Sequence, residues 1–396
     1  MVVGAGLAGW RLVEAMRRDG FEGPVTVIGD EAHRPYDRPP LSKQLLTGAI
    51  GADDTTLVHG SSRDTVTWRL GVAAVGLDVE RRRVYLADGS SVTGTHIAIA
   101  TGTRARRLST TAGSRVRTLR TLDDVVRLNE DLDRLETGAT VAVIGGGFIG
   151  AEVATSLSKR GFRPVVLEMA LRPLLTVLGA DVSAWLLRIP ELAGVELRTG
   201  QTVRDVVGEG DALRVLIDGG ADVVAGIVVA GIGAIPNVEW LGDSGLVVDN
   251  GVAVDATMHA APGVAAIGDV ARFVWAGPAG AQSVRMEHWQ VANDHATTLS
   301  RVWITGDAGA KVLIPYFWSD QYGKKIQLLG HPTPNDDVIR VLGDDQSGRW
   351  LALYHADGVI TGVVALSNPR ALMLSKVLLD TRTTLAQAMA SAPWTT

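Results

Sequence analysis

A glycine pattern that occurs twice leaves this 396-residue chain few folds to choose from. In the fuller copy the apolar run V-A-V-I, starting at Val141, breaks into Gly145-x-Gly147-x-x-Gly150. A helical run follows through Val153, Ala154 and Leu157, and Val165-Val166-Leu167 closes on Glu168. A strand, a glycine turn, a helix and a second strand ending in an acid make a dinucleotide-binding βαβ unit. Gly145 permits the tight turn, Gly147 lets the backbone approach a pyrophosphate, and Gly150 lets the helix lie close on the sheet. The anion would rest on free N–H groups at the helix start, where peptide dipoles sum to roughly half a positive charge. Ile149, Val153 and Leu157 recur at helical spacing, which predicts an apolar face covering the sheet. Glu168 is placed to accept from ribose hydroxyls. A 2′-phosphate about 4 Å from it would be repelled by roughly 4 kcal/mol per charge pair at an effective dielectric near 20. With no arginine between Glu168 and Arg172, NADH is expected rather than NADPH.

The first residues repeat the pattern. Met1-Val2-Val3 is the tail of a strand, Gly4-x-Gly6-x-x-Gly9 the phosphate turn, and Leu12, Ala15 and Met16 share one helix face. Val25 to Ile28 form the next strand, followed by Gly29-Asp30-Glu31, and both copies end their helix in Gly-Phe, at Gly20-Phe21 and Gly161-Phe162. Two copies imply two dinucleotides bound face to face. So short a first strand suggests that residues precede Met1. Ile97-Ala-Ile-Ala100 leads into Thr101-Gly102, and Ile227-Val-Val-Ala230 leads into Gly231-Ile-Gly233. Each pair lies at the carboxyl edge of its sheet, where a nucleotide has to be covered.

Composition narrows the chemistry. Hydrophobic residues make up 46% and charged residues 20%, as in compact α/β proteins, and the net charge of −5 argues against nucleic acid as a partner. No apolar run approaches a membrane span and no signal peptide is visible, so the cytoplasm is the expected location and no membrane the expected partner. There is no cysteine, which excludes a disulfide relay, a cysteine-sulfenate peroxidase and a cysteine-ligated cluster of the chain's own. The eight histidines show no HExxH or close ligand pairing, so no metal site is expected.

Other stretches leave alternatives open. In Pro35-Tyr-Asp-Arg-Pro-Pro-Leu-Ser-Lys43 the prolines force an extended path into a helix expected over Leu41 to Leu46. Lys43 is then either a fixed charge for a flavin or carboxylate, or a solvated lysine on a stiffened loop. Val66 to Val75 and Val84 to Leu86, with the turn Asp88-Gly89, read as strands and a hairpin. Arg104, Arg106, Arg107, Arg115, Arg117 and Arg120 form a basic segment, either a solvated face or a docking surface for an acidic protein. Gly268-Asp269 is a turn whose carboxylate could accept from ribityl hydroxyls. A helix is expected from Arg285, with Glu287 early in it and Trp289 either in the core or stacking on a flavin. Thr305 to Ala310 reads as a linker. Beyond it come five strands of an antiparallel sheet, within 315–321, 325–329, 338–342, 350–354 and 359–366, and a helical tail from Pro369.

On these residues the chain resembles the NADH-dependent ferredoxin reductases of bacterial oxygenase systems, over nearly its whole length. The most specific parts are Tyr36-Asp-Arg-Pro-Pro-Leu-Ser-Lys43, Met286-Glu-His-Trp289, Phe317-Trp-Ser-Asp-Gln321 and the two glycine units. The resemblance implies an α/β, glutathione-reductase-like fold with two Rossmann-type dinucleotide-binding domains and a smaller α+β C-terminal domain. Residues 1–104 and 236–305 would bind FAD, 105–235 would bind NADH, and 310–396 would form the third domain. FAD would be held by Gly4, Gly6, Ala8, Gly9, Asp30, Lys43, Val75, Thr101, Gly102, Arg120, Asp269 and Trp289. NADH would be held by Gly145, Gly147, Phe148, Ile149, Glu152, Glu168 and Gly233. Lys43 and Glu152 are similar to a catalytic pair that meets near the flavin. Thr176 stands where family members often carry an arginine, which implies a weaker grip on the NADH adenosine.

The implied activity passes electrons from NADH through FAD, and then singly to a small acidic iron-sulfur ferredoxin serving an oxygenase, by a monomer or homodimer. Two alternatives share the fold. One is a flavin NADH oxidase or small-acceptor reductase, whose thiol-dependent members the absence of cysteine excludes. The other is a nucleotide-sensing interaction protein like apoptosis-inducing factor, which shares the Arg-Pro-Pro-Leu-Ser-Lys turn.

Overall fold

In the computed structural model, residues 1–59, 66–277, 280–307 and 313–395 are described. The chain forms two compact units. One comprises Met1–Asp37, Thr55–Arg104 and Ile235–Phe317, and the other comprises Arg38–Asp54, Ala105–Ala234 and Trp318–Thr396.

The first unit is built on a six-stranded sheet in the order His259–Ala261, Val264–Ala266, Ile97–Ile99, Val2–Val3, Val25–Ile28, Val66–Arg69. All neighbours are parallel except the first pair. Val2, Val27, Ile97, Ile99 and Val264 are fully enclosed, as strands covered on both faces must be. The helix Leu7–Arg18 follows the first strand and buries Leu12, Val13, Ala15 and Met16. The reading of Val66 to Val75 as one strand is corrected. Gly71, at φ 73°, turns the chain after Val66–Arg69, and Ala74–Asp78 joins an antiparallel meander with Arg83–Leu86 and Ser91–Thr93.

The second unit carries a five-stranded parallel sheet in the order Glu196–Thr199, Arg163–Glu168, Thr140–Ile144, Ile227–Ala230, Val116–Arg117. Its helix Phe148–Lys159 is enclosed from Gly150 to Leu157. Val153, Ala154 and Leu157 lie in the apolar core, while Glu152, Thr155 and Ser156 form a buried polar stripe at i, i+3 and i+4. Ile149 departs from the expected face: it lies in the first helical turn and is 46% exposed.

A five-stranded sheet follows, ordered Tyr316–Gln321, Lys324–Gly330, Val359–Leu366, Arg349–Ala356, Asp337–Asp344, and from Trp318 onward it belongs to the second unit. Its pairings from Lys324 onward are antiparallel, and short helices follow from Pro369. Of the stretch expected as a linker, Thr305 still belongs to the preceding helix, Gly306 caps that helix at φ 71°, and 308–310 lie outside the described residues. No helix of the described residues is long and apolar enough to cross a membrane.

Candidate active site

The two phosphate turns are built alike. Gly4 and Gly145 have φ of 122° and 101°, a region that side chains other than glycine rarely adopt. A Cβ on Gly9 would collide with the carbonyl oxygen of Gly4, and one on Gly150 with that of Gly145, so each helix is seated directly on its own turn. Gly6 and Gly147 differ from these. Each is the N-cap of its helix, makes no side-chain cap, and a Cβ there would meet nothing within 4 Å. Among the described residues, therefore, neither N-cap supplies a side-chain acceptor to its helix, and the space beside each of these glycines is open. A pyrophosphate fits such a cradle, so the residues present suit FAD and NADH.

The second turn ends on Glu168. Its Oε2 accepts from the Gly146 N–H at 2.6 Å and its Oε1 from the Ala170 N–H at 2.8 Å. Arg172 donates to the Ala180 carbonyl at 2.9 Å. Thr176 lies at the start of the helix Leu175–Leu186.

Lys43 and Glu152 are brought together at 2.8 Å, with side chains 15% and 4% exposed. The segment carrying Lys43 is not the α-helix expected over Leu41 to Leu46. Pro39–Ser42 is a single 3₁₀ turn, and Lys43 leaves helical geometry at φ −120°, ψ −103°. The prolines occupy the first two positions, where their missing N–H groups cost nothing. Glu152 also accepts from Ser42 Oγ at 2.5 Å and Ser319 Oγ at 2.6 Å. Thr155 accepts from the Tyr322 N–H, and Ser156 Oγ donates to the Ser42 carbonyl at 2.7 Å. The polar stripe of the helix thus bonds both to the turn before Lys43 and to the C-terminal sheet. Ser42 and Ser319 were not singled out from the sequence, although each stands inside a distinctive motif.

In the first unit, Trp289 Nε1 donates to Asp37 Oδ1 at 2.9 Å, and the Arg11 guanidinium lies 5.9 Å from the indole centroid. The helix begins at Trp289, so Glu287 lies outside it and pairs with Arg285 at 2.7 Å. The Gly268–Asp269 turn is held at two points. Gly268 N–H donates to His295 Nδ1 at 3.3 Å, and Arg285 donates to the Asp269 carbonyl at 3.1 Å. Thr101 and Asn237 exchange two hydrogen bonds, and the Asn237 N–H donates to the Gly102 carbonyl. Ala8 is buried, Asp30 is exposed and Val75 is 53% exposed. Arg120 is partly buried and Gly233, at φ 99°, is exposed.

The basic segment is divided by its partners. Arg104 pairs with Glu239 at 2.5 Å, Arg115 bonds backbone carbonyls from Gly210 to Ala212, and Arg117 pairs with Asp131 at 2.6 Å. Arg106 and Arg107 are exposed.

This geometry has known counterparts. Residues 1–296 match the Pyridine nucleotide-disulphide oxidoreductase family, and residues 316–395 match the Reductase C-terminal family. The chain belongs to the pyridine nucleotide-disulphide oxidoreductases. Within that family, the chlorobenzene dioxygenase ferredoxin reductase component of a Cupriavidus species is 35% identical, over 98% of this chain and 93% of its own. The ferredoxin–NAD(+) reductase component of the Pseudomonas putida p-cumate 2,3-dioxygenase system is 31% identical over 95% and 92%. Among solved structures, the covalent putidaredoxin reductase–putidaredoxin complex matches with a TM-score of 0.90 at 30% identity, covering 96% of this chain and 92% of that one. The glutathione-reductase-like fold expected of this chain is the fold of these relatives.

Proposed function

We propose that this chain is an FAD-dependent NADH:ferredoxin oxidoreductase that works in the cytoplasm and supplies single electrons to a ferredoxin serving an oxygenase. One observation carries the reading: two uncapped phosphate cradles stand in a chain with no cysteine. A pair of dinucleotides with no thiol between them can exchange electrons with each other but cannot pass them to an internal disulfide. The relatives that share nearly the full length are ferredoxin reductase components, which supports an iron-sulfur protein as the outlet.

When bound, FAD supplies the conversion of a two-electron donor into single-electron steps. The protein's own residues bind and orient. Gly6 and Gly147 leave room for the two pyrophosphates, and the helix N-termini behind them stabilise the charge. Glu168, held by two backbone donors, accepts from the NADH ribose and repels a 2′-phosphate. Asp269, Asp30 and the Thr101-Gly102 loop hold the FAD. Lys43, anchored on Glu152, places a positive charge for reduced flavin.

The test is to purify the protein, confirm bound flavin from its visible spectrum, and compare NADH-driven reduction of a ferredoxin with that of oxygen. Turnover with ferredoxin well above that with oxygen is expected. Equal turnover would favour a flavin NADH oxidase instead.

A further inference from the structure

The turn Gly268–Val270 follows the strand Val264–Ala266 as a single 3₁₀ turn, and it is seated between two helices. Gly268 has φ 71°, and a Cβ there would lie 2.7 Å from Ala8 on the helix Leu7–Arg18 and 3.8 Å from Ala292 on the helix Trp289–Thr305. Its N–H is enclosed by this fit and needs an acceptor from the protein. His295 Nδ1 supplies one at 3.3 Å. A ring nitrogen that accepts carries no proton, so the hydrogen of the neutral imidazole is on Nε2, which has no partner among the described residues. The ring is 3% exposed and stands edge-on to Phe273, with centroids 4.6 Å apart. Burial pushes its pKa down to about 4 against the pull of the Asp269 carboxylate, the one charge among the described residues that acts on it. The acceptor is therefore intact at neutral pH. On the other side of the turn, Arg285 donates to the Asp269 carbonyl at 3.1 Å and pairs with Glu287 at 2.7 Å. The backbone is thus held both before and after the Asp269 side chain.

We propose that His295 is a positioning residue for the flavin: by accepting from Gly268 it sets the direction of the Asp269 carboxylate, on which the FAD ribityl hydroxyls would rest. Without that acceptor the buried N–H is left unsatisfied, and the turn shifts to pair it and carries Asp269 along. FAD then has to restore the turn in order to stay bound. What matters in the ring is the lone pair on Nδ1. The amide oxygen of an asparagine, like Nδ1, is attached to Cγ and can take its place, whereas leucine fills the space with methyl groups that accept nothing. The inference rests on the proposed FAD-dependent function, and adds to it a residue that acts on the cofactor through the turn.

The experiment uses the flavin-loaded wild type and the variants His295→Leu and His295→Asn. Flavin release on dilution is followed by the fluorescence of the freed cofactor, and the wild-type ring is read by ¹⁵N NMR of histidine-labelled protein at neutral pH. His295→Leu, which removes one buried acceptor, should release flavin about tenfold faster than wild type. His295→Asn, which keeps an acceptor, should stay within about threefold of wild type. The NMR spectrum should show His295 with its proton on Nε2 and none on Nδ1. Should His295→Leu fail to fold, the release rate of His295→Asn and the tautomer of the wild type still decide. Equally fast release from both variants would overturn the inference, since the ring would then matter for its packing and not for its lone pair. Unchanged release from His295→Leu would overturn it too, as would a proton on Nδ1. Each of these results belongs to a wild type that holds flavin, and each leaves the proposed function standing. A wild type that takes up no FAD would overturn the proposed function and the inference together.

Discussion

Glu168 is held by two backbone N–H groups, so its orientation is set before a nucleotide arrives and each oxygen keeps a second lone pair. Glu168→Ala should reduce the ratio of kcat/KM for NADH over NADPH by about tenfold or more, since the like-charge repulsion is removed. An unchanged ratio would sink the ribose assignment. Lys43→Ala leaves a buried carboxylate without its counter-ion, and should slow flavin reduction more than it lowers FAD content. The reverse order, read from single-turnover rates and visible spectra, would make Lys43 a cofactor anchor. His295 tests the first unit. Burial lowers its pKa from the ordinary 6.5 to about 4, with Asp269 opposing, and its Nε2 has no partner among the described residues. The neutral ring stabilises the fold above pH 6.5, and that contribution is lost as the pH falls toward 4, by on the order of 3 kcal/mol at most. Denaturant unfolding of His295→Asn should show a flatter acid limb, and a limb as steep as wild type would contradict this. Lys43 drew notice because prolines stiffen its approach, and Glu168 because it closes a strand. Ser42 and Ser319 gave no such signal, because an ordinary serine becomes significant only when folding buries it against a carboxylate.

The paired glycine units allow binding to be separated from folding. Gly147→Ala puts a methyl into open space at the phosphate cradle, so thermal stability should change little while NADH affinity falls. Gly150→Ala drives a methyl into the Gly145 carbonyl and should destabilise the fold by about 1–3 kcal/mol. Equal losses of stability in the two variants would refute this assignment of roles. Most elements were legible because short apolar runs marked the strands, in the parallel sheets and in the centre of the C-terminal sheet alike. Where the reading slipped, a local conformation overrode the pattern. Gly71 cut one apolar run into strands of two sheets, and Lys43 left helical geometry after a single 3₁₀ turn. Ile149 kept the helical spacing, but it sits in the first turn, ahead of the enclosed part of the helix. Glu287 was taken by Arg285 before the helix began.

Over the whole molecule, the two units each supply a largely or wholly parallel sheet and a glycine turn, and the second also carries most of the C-terminal sheet. Three of the arginines that suggested an acidic docking face are committed to partners within their own unit, leaving Arg106 and Arg107 as the exposed members of that set with no such bond described. Charge reversal at both should raise the KM for ferredoxin without altering flavin bleaching by NADH, if they meet the acidic partner. No change in that KM would place the docking surface elsewhere. Electron flow from NADH to a ferredoxin requires a flavin that takes electrons from NADH and releases them outward. The most direct measurement is the visible spectrum of the purified protein before and after one equivalent of NADH without oxygen, followed by oxidised ferredoxin. A yellow protein that NADH bleaches and ferredoxin restores is expected. A colourless protein that cannot be reconstituted with FAD would contradict it.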